Sequence, residues 1–166
     1  PVTGILNKFS FENSLRDTLN ARDETHECAL LLIDIDNMKR MNDELGKLVG
    51  DMFLENVAEF LTSIFRGSDI IGRVGGDEFM VYVRNLKSED WLAGKCSRIQ
   101  HEIKAISNEN GNINMTCSIG AAVAGKVPVS FEQMYTQADD SLYKAKTRGR
   151  GKYVLHYVHK EREVIH

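Results

Sequence analysis

Residues 73–79 read Arg-Val-Gly-Gly-Asp-Glu-Phe, a two-glycine step followed by two adjacent carboxylates and an aromatic ring. Apolar alternating runs flank this stretch on both sides, at residues 70–74 and 79–83. A Gly-Gly step between such runs predicts a β-hairpin, because both turn residues can adopt φ > 0 without steric cost. The hairpin is expected to present Asp77 and Glu78 at its tip, where they could meet a metal ion.

A second acidic element, Asp34-Ile35-Asp36, closes the apolar run of residues 29–33. In an extended chain Asp34 and Asp36 point to the same side, and ligands tend to bind at the carboxyl ends of strands. Magnesium prefers oxygen ligands and is often held by one or two carboxylates. The two acidic elements together predict divalent-metal chemistry, while Asp36 or Asn37 alternatively caps the helix that follows.

Composition sets the class of protein. The chain has 166 residues, 42% hydrophobic and 27% charged, with a net charge of −3. These values predict one globular domain and argue against bulk attraction to nucleic acid or an anionic membrane. No apolar run reaches the roughly 20 residues that cross a bilayer. Three cysteines without CxxC spacing predict buried thiols in a reducing cytoplasm rather than a zinc or disulfide site.

Periodicity predicts the order of elements. Apolar spacing of three to four residues indicates helices, and alternating or continuous apolar runs indicate strands. The order βααββαβ, with an extra N-terminal helix and a C-terminal edge strand, predicts an α+β, ferredoxin-like, mostly antiparallel sheet backed by helices. The expected helices cover residues 8–22, 38–45, 52–65, 89–107 and 130–147, and the expected strands cover residues 28–34, 70–83 (the hairpin), 114–124 and 152–157.

The chain resembles the GGDEF family, diguanylate cyclase domains with a fold related to nucleotidyl cyclases and polymerase palms. The resemblance covers residues 1–158 and leaves 159–166 as a polar tail. It departs from the family at Lys47, usually His, and at Gly151, usually Asn. Besides residues 73–79, the matching motifs are Thr3-Gly4-Ile5-Leu6-Asn7-Lys8 with Phe11, Asp34-Ile35-Asp36-Asn37-Met38-Lys39, Met41-Asn42-Asp43 with Gly46 and Gly50-Asp51, Ser118-Ile119-Gly120, Ala138-Asp139 with Leu142-Tyr143-Lys144-Ala145-Lys146, and Gly149-Arg150.

The resemblance implies a metal site. Asp34, the carbonyl oxygen of Ile35, and Asp77 would bind Mg²⁺ or Mn²⁺, about two ions per site by the two-metal pattern. Asp77 would also deprotonate the attacking ribose hydroxyl, and Glu78 would support the second metal position. The alternative is an ordinary polar turn, although adjacent carboxylates without a cation raise each other's pKa.

The resemblance also implies base recognition. Asp51 would accept hydrogen bonds from guanine, Asn42 would complete the readout, and Met38 belongs to the same substrate loop. Two alternatives stay open from the residues alone. Asp51 could cap the helix predicted over residues 52–65, and Asn42 could lie on a solvated helix face.

Basic side chains are the candidates for phosphate binding. By resemblance, Lys146 and Arg150 grip the triphosphate, joined by Lys39, and Arg73 reaches a phosphate. The helix dipole alone would also favour cations at this helix C-terminus, where Gly149 provides the stop.

Arg66 and Asp69 have the spacing of the family's RxxD inhibitory site, and Arg98 on the next helix could add a second fork. The resemblance implies that this site binds product. The alternative is a surface ion pair worth less than about 1 kcal/mol.

The implied activity is condensation of two GTP molecules into cyclic di-GMP with release of two pyrophosphates. Each protomer would hold one GTP, so activity implies a transient homodimer. Since the chain begins at Pro1, directly at the family's first motif, we expect a fragment of a larger signalling protein whose sensory region is missing. The parent protein would be cytoplasmic or membrane-anchored. The alternatives are a non-enzymatic receptor for GTP or cyclic di-GMP and a plain interaction module.

Overall fold

A computed structural model describes residues 5–109 and 111–158 of the chain. The expected Thr3-Gly4 motif and the tail at residues 159–166 therefore lie outside the described residues. Six strands and five helices follow one another along the described part in the order β1 (Leu6–Asn7), α1 (Lys8–Asn20), β2 (Cys28–Ile35), α2 (Met38–Leu45), α3 (Lys47–Ile64), β3 (Ile70–Arg73), β4 (Glu78–Val83), α4 (Glu89–Glu109), β5 (Cys117–Ala124), α5 (Phe131–Thr147) and β6 (Tyr153–Tyr157).

The strands form one mixed sheet in the order β1-β3-β4-β2-β5-β6. The central strand β2 pairs antiparallel with β4 and β5, and β3 pairs antiparallel with β4. At the two edges, β1 pairs in parallel with β3, and β6 pairs in parallel with β5. This arrangement confirms the predicted α+β sheet and its C-terminal edge strand. Strand β1 was not predicted, because two residues are too short to show a periodicity.

Helices cover both faces of the sheet. Strands β2 and β5 are buried along their whole length, so the strand predicted over residues 28–34 is covered on both faces. On one face α2, α3 and α4 pack with the side chains of Leu31 and Ile33. On the other face α1 and α5 pack with Leu30 and Leu32. The three cysteines are free and buried, as expected.

Helix α5 lies unusually close to the sheet at Gly120. A Cβ at this position would lie 2.2 Å from the backbone nitrogen of Leu142 and 2.3 Å from the carbonyl oxygen of Ala138. A residue with any side chain would therefore push the helix backbone away from β5. The close approach places the last turns of α5, including Lys146, beside the carboxyl end of β2.

Two local predictions were wrong. Helix α3 begins at Lys47 rather than residue 52, so Asp51 lies inside the helix and is not its N-cap. The hairpin connection is also longer than a two-residue turn, since β3 ends at Arg73 and β4 begins at Glu78. Neither Gly75 nor Gly76 is among the residues with positive φ.

Smaller boundary shifts occur elsewhere. Strand β5 begins at Cys117 rather than residue 114, and α1 and α4 end within two residues of their predicted ends. No helix in the described part of the chain is long and apolar enough to cross a membrane.

Candidate active site

Three carboxylates meet where β2 ends beside the hairpin. Oxygen atoms of Asp34, Asp77 and Glu78 all lie within 4.8 Å of one another, and we call these residues the acidic cluster. Strand pairing creates it, because Asp34 on β2 lies opposite Glu78 on β4. The Ile35 amide extends the ladder by donating to the Asp77 carbonyl at 3.0 Å. The fold thus brings together two acidic elements more than forty residues apart in the chain.

The acidic cluster holds more negative charge than its protein partners offset. Burial raises the pKa of Asp34, while its hydrogen bond and ion pair with Lys146 lower it. Burial also raises the pKa of Glu78, and the charges of Asp34 and Asp77 raise it further. One ammonium group therefore faces three carboxylates that disfavour one another's charge.

This donor set fits a divalent cation. Mg²⁺ and Mn²⁺ prefer oxygen ligands, and a cation would remove the repulsion within the acidic cluster. Asp34 is buried and Glu78 is exposed, so the cluster lies at an opening to solvent. Ile35, whose carbonyl oxygen is a metal ligand by the family resemblance, is buried at the same end of β2.

The hairpin tip is held by its own backbone and by Arg73. The Val74 amide donates to the Glu78 carbonyl at 2.9 Å. The Arg73 guanidinium donates to the Gly76 carbonyl at 2.7 Å. Arg73 therefore holds the loop that carries Asp77.

Asp36 lies apart from the acidic cluster. It is only 5% exposed, and its oxygens accept hydrogen bonds from Thr116, Ser118 and the Gly151 amide. Of the two residues that could cap α2, Asn37 and not Asp36 occupies the N-cap position, with φ 59°, and its side chain makes no capping hydrogen bond. Sequence reasoning missed both hydroxyl partners, and no local pattern marks Thr116.

The residues expected to read guanine lie on α2 and α3. Asn42 and Asp51 are both exposed, and Asn42 packs directly over Gly50, where a Cβ would lie 2.1 Å from its Oδ1. The glycine thus allows Asn42 to approach α3 one residue before Asp51. Met38, also expected here, is 7% exposed and belongs to the hydrophobic core beneath.

The expected phosphate ligands come from two directions. Lys146, at the end of α5, forms an ion pair with Asp34. Arg150, in the loop after α5, lies 3.6 Å from Asp36 through Nη1 and Oδ1. Lys39 is exposed on the first turn of α2. Of these three cations, Lys146 contacts the acidic cluster through Asp34, and Arg150 contacts Asp36 two residues further along the chain.

The expected inhibitory residues lie at the end of α3, away from the acidic cluster. The Asp69 carboxylate is fully buried, 3.5 Å from Arg66 Nε, and accepts the amides of Arg66 and Arg84 at 3.0 and 3.2 Å. The Arg66 guanidinium lies 5.9 Å from the Trp91 ring centroid. A cleft of about 470 Å³ borders Arg66, Asp69 and Arg84.

Arg98 lies over Phe60, with its Cζ 5.8 Å from the ring centroid. It faces Lys95, whose pKa is lowered first by burial and then by the charges of Arg98 and Lys87. Sequence reasoning missed Trp91 and Lys95, which lie one turn apart on α4 beside Arg66 and the end of α3. Neither residue belongs to a motif, and only the packing of α4 against α3 brings them to this position.

Comparison with known proteins agrees with this geometry. Residues 1–152 match the family described as "Diguanylate cyclase, GGDEF domain". The diguanylate cyclase DgcS of Shewanella oneidensis is 34% identical over 93% of this chain and 51% of its own length. The cyclic di-GMP phosphodiesterase PdeR of Escherichia coli is 29% identical over 93% of this chain and 23% of its own length. The chain thus spans about half or less of these relatives.

A solved structure has the same fold. It contains a microbial GGDEF domain in a novel interaction mode with cyclic di-GMP. It superposes with a TM-score of 0.80 at 31% sequence identity, covering 94% of each chain. The likeness therefore extends over nearly the whole described sheet and its helices.

Proposed function

The chain belongs to the GGDEF family of diguanylate cyclase domains, and we propose that it condenses two GTP molecules into cyclic di-GMP, releasing two pyrophosphates. The observation that carries this proposal is the acidic cluster, whose carboxylate oxygens lie within 4.8 Å of one another beside Lys146. Binding a nucleotide through one metal ion needs one or two carboxylates, whereas Asp34 at the end of β2 with Asp77 and Glu78 at the hairpin suits the two ions of phosphoryl transfer.

In each half-reaction, a ribose 3′-oxygen forms a bond to the α-phosphorus of the opposite GTP, and the bond from that phosphorus to pyrophosphate breaks. Asp34, Asp77, Glu78 and the Ile35 carbonyl would hold about two Mg²⁺ or Mn²⁺ ions. When bound, these ions would neutralise phosphate charge and lower the pKa of the attacking hydroxyl. Asp77, at the hairpin tip, accepts the proton of that hydroxyl. Glu78 supports the second metal position.

Cations hold the triphosphate. Lys146 exchanges its contact with Asp34 for a phosphate oxygen, and Arg150 and Lys39 bind from the two sides. Arg73, anchored to the Gly76 carbonyl, keeps the hairpin tip in place and reaches a phosphate. Such charge-assisted hydrogen bonds are the strong ones available to a phosphate.

Asn42 and Asp51 select guanine. The Asp51 carboxylate accepts the N1–H and the amino group of the base, and Asn42 completes the recognition from α2. Met38 supports Asn42 from the core below. With adenine over it, the Asp51 carboxylate would be covered without an N1–H donor, which disfavours ATP.

Turnover requires two copies, because one domain carries one GTP and half of the reacting pair. We further propose that the domain is the output part of a larger signalling protein. Cyclic di-GMP would inhibit it by binding at Arg66 and Arg98 with Asp69. Product binding would require Asp69 to exchange its backbone donors for guanine donors.

A receptor that binds GTP or cyclic di-GMP without turnover is the second candidate. It is favoured by the similarity to PdeR, a protein whose name describes a phosphodiesterase rather than a cyclase. The acidic cluster favours the cyclase, since Asp34, Asp77 and Glu78 are all present in this chain.

Incubation with GTP and Mg²⁺ over a range of protein concentrations, followed by chromatography, tests the proposal. We expect cyclic di-GMP and pyrophosphate, with specific activity rising with concentration as copies meet. Asp77→Ala and Glu78→Ala should remove activity while the far-ultraviolet circular dichroism stays unchanged. Nucleotide binding without product at any concentration would favour the receptor instead.

A further inference from the structure

Asp36 is a buried carboxylate whose two oxygens are engaged by protein donors, although it lies only two residues after Asp34. Its Oδ1 accepts the Ser118 hydroxyl at 2.8 Å. Its Oδ2 accepts the Thr116 hydroxyl at 2.7 Å and the Gly151 amide at 3.0 Å. Asp36 therefore joins the end of β2 to β5 and to the loop before β6.

That loop has an unusual backbone. Gly149, Arg150 and Gly151 are three successive residues in the left-handed region, with φ of 112°, 58° and 59°. A residue with a side chain is strained there, so Arg150 needs contacts that hold it. On one side the amides of Gly149 and Arg150 donate to the carbonyls of Lys146 and Ala145 at 3.3 and 3.2 Å. On the other side, the loop is held by Asp36.

We propose that Asp36 is a positioning residue that keeps residues 149–151 in this conformation and so aims Arg150 at a nucleotide triphosphate. The inference rests on the proposed function of the same site. Asp36 fixes the backbone through Gly151, whereas the Arg150 side chain stays 58% exposed and 3.6 Å away. The guanidinium can therefore turn to a phosphate without the loop losing its anchor.

Asp34 and Asp36 lie two residues apart but face different groups. Asp34 faces Asp77 and Glu78 in the acidic cluster and contacts Lys146. Asp36 faces hydroxyl and amide donors, which leave its oxygens little capacity for a metal. Each aspartate therefore meets one of the two cations at the end of α5, but only Asp34 adjoins the expected metal position.

Binding measurements separate this role from metal binding and from general support of the fold. Calorimetry would give the Kd of α,β-methylene GTP, whose α–β linkage cannot release pyrophosphate, and of GMP, each with and without Mg²⁺. Wild type is compared with Asp36→Asn, Arg150→Ala and the double variant. Thr116→Val removes one donor to Asp36, and Thr116→Ser is its matched control.

We expect Asp36→Asn to weaken binding of the triphosphate analogue about tenfold, equivalent to roughly 1.4 kcal/mol, and of GMP less than about twofold. Thr116→Val should change affinity in the same direction, and Thr116→Ser should match wild type. Since Asp36 acts through Arg150, the double variant should bind like Arg150→Ala alone.

Equal weakening for GMP and the triphosphate analogue would contradict the positioning role, as would additive effects in the double variant. A loss seen only when Mg²⁺ is present would make Asp36 a metal ligand and overturn the inference. If Asp36→Asn does not fold, Thr116→Val still decides the question. A wild type that binds the analogue but forms no cyclic di-GMP contradicts the proposed function alone, and one that does not bind it contradicts both.

Discussion

The Glu78 carboxylate lies directly over Gly75: a Cβ built at Gly75 would come within 3.1 Å of Glu78 Oε2 and 3.3 Å of its Cβ. The glycine thus leaves room for the Glu78 side chain, which a Cβ here would press aside, and its φ is not positive. The neighbouring Gly76 has no atom within 4 Å of its corresponding position. The two glycines of the motif therefore have different physical roles.

Gly75→Ala should lower cyclic di-GMP formation at least tenfold, because the added methyl displaces the Glu78 carboxylate from the acidic cluster. The fold should tolerate the change, since the displaced group is exposed. Initial rates and melting temperature together measure the effect. Gly76→Ala is the matched control and should keep wild-type activity. Similar losses in both variants would mean that the turn backbone, not the contact with Glu78, is what matters.

Glu78→Gln should stabilise the metal-free protein at neutral pH. Burial, and then the charges of Asp34 and Asp77, raise the pKa of Glu78 above its ordinary value of 4.5. Between 4.5 and the raised pKa the folded state keeps a proton that the unfolded chain has released, so wild-type stability falls as pH rises through that window. The melting temperature of the variant should exceed that of wild type at pH 7 by less than the roughly 2–4 °C that 1 kcal/mol gives a domain of this size, because Glu78 is exposed and solvent screens the repulsion.

This advantage should disappear as the pH falls below that window, because wild-type Glu78 is then protonated as well. Mg²⁺ should raise the melting temperature of wild type more than that of Glu78→Gln. Glu59→Gln, an exposed change on α3, serves as the control for the loss of a charge. A variant less stable than wild type at pH 7 without metal would show that the carboxylates do not repel each other.

Asp51→Ala should reduce the preference for GTP over ATP. Asp51 is exposed in the free domain and is covered only when a base binds. A covered acceptor left without a donor costs roughly 1–3 kcal/mol, so wild type should favour GTP about tenfold or more. Calorimetric titration with each nucleotide should show this gap narrowing in the variant. Glu55→Ala, one helical turn further along α3, should leave the preference intact. Equal affinity of wild type for ATP and GTP would refute the base-reading role.

Arg66→Ala should release the enzyme from product inhibition. Loss of a charged hydrogen bond of about 1.5–3 kcal/mol predicts at least a tenfold rise in the cyclic di-GMP concentration that halves the rate. Progress curves with added product measure it. Arg40→Ala, which removes another exposed arginine with an ion pair, should behave like wild type. If the two variants respond alike, Arg66 and Asp69 form only a structural contact.

The chain's local patterns were sufficient for the order and type of the main elements, since helical and strand periodicities depend on residues close in sequence. They also led to Asp34, Asp77 and Glu78 as candidates, because carboxylates at a strand end and a turn are visible without a fold. The start of α3 could not be found this way. Gly50 resembles a loop signal, but it lies within α3, where its missing side chain leaves room for Asn42.

The resemblance assigned a metal role to Asp34 and not to Asp36, but only the tertiary structure shows which groups Asp36 contacts. The two aspartates look alike in sequence, yet one joins the acidic cluster and the other bonds to Thr116, Ser118 and Gly151. These partners lie 80, 82 and 115 residues away along the chain. Their distances depend on sheet pairing and on the close approach of α5 to β5, which no local pattern encodes. A carboxylate's role is set by the donors around it, and here the fold supplies those donors.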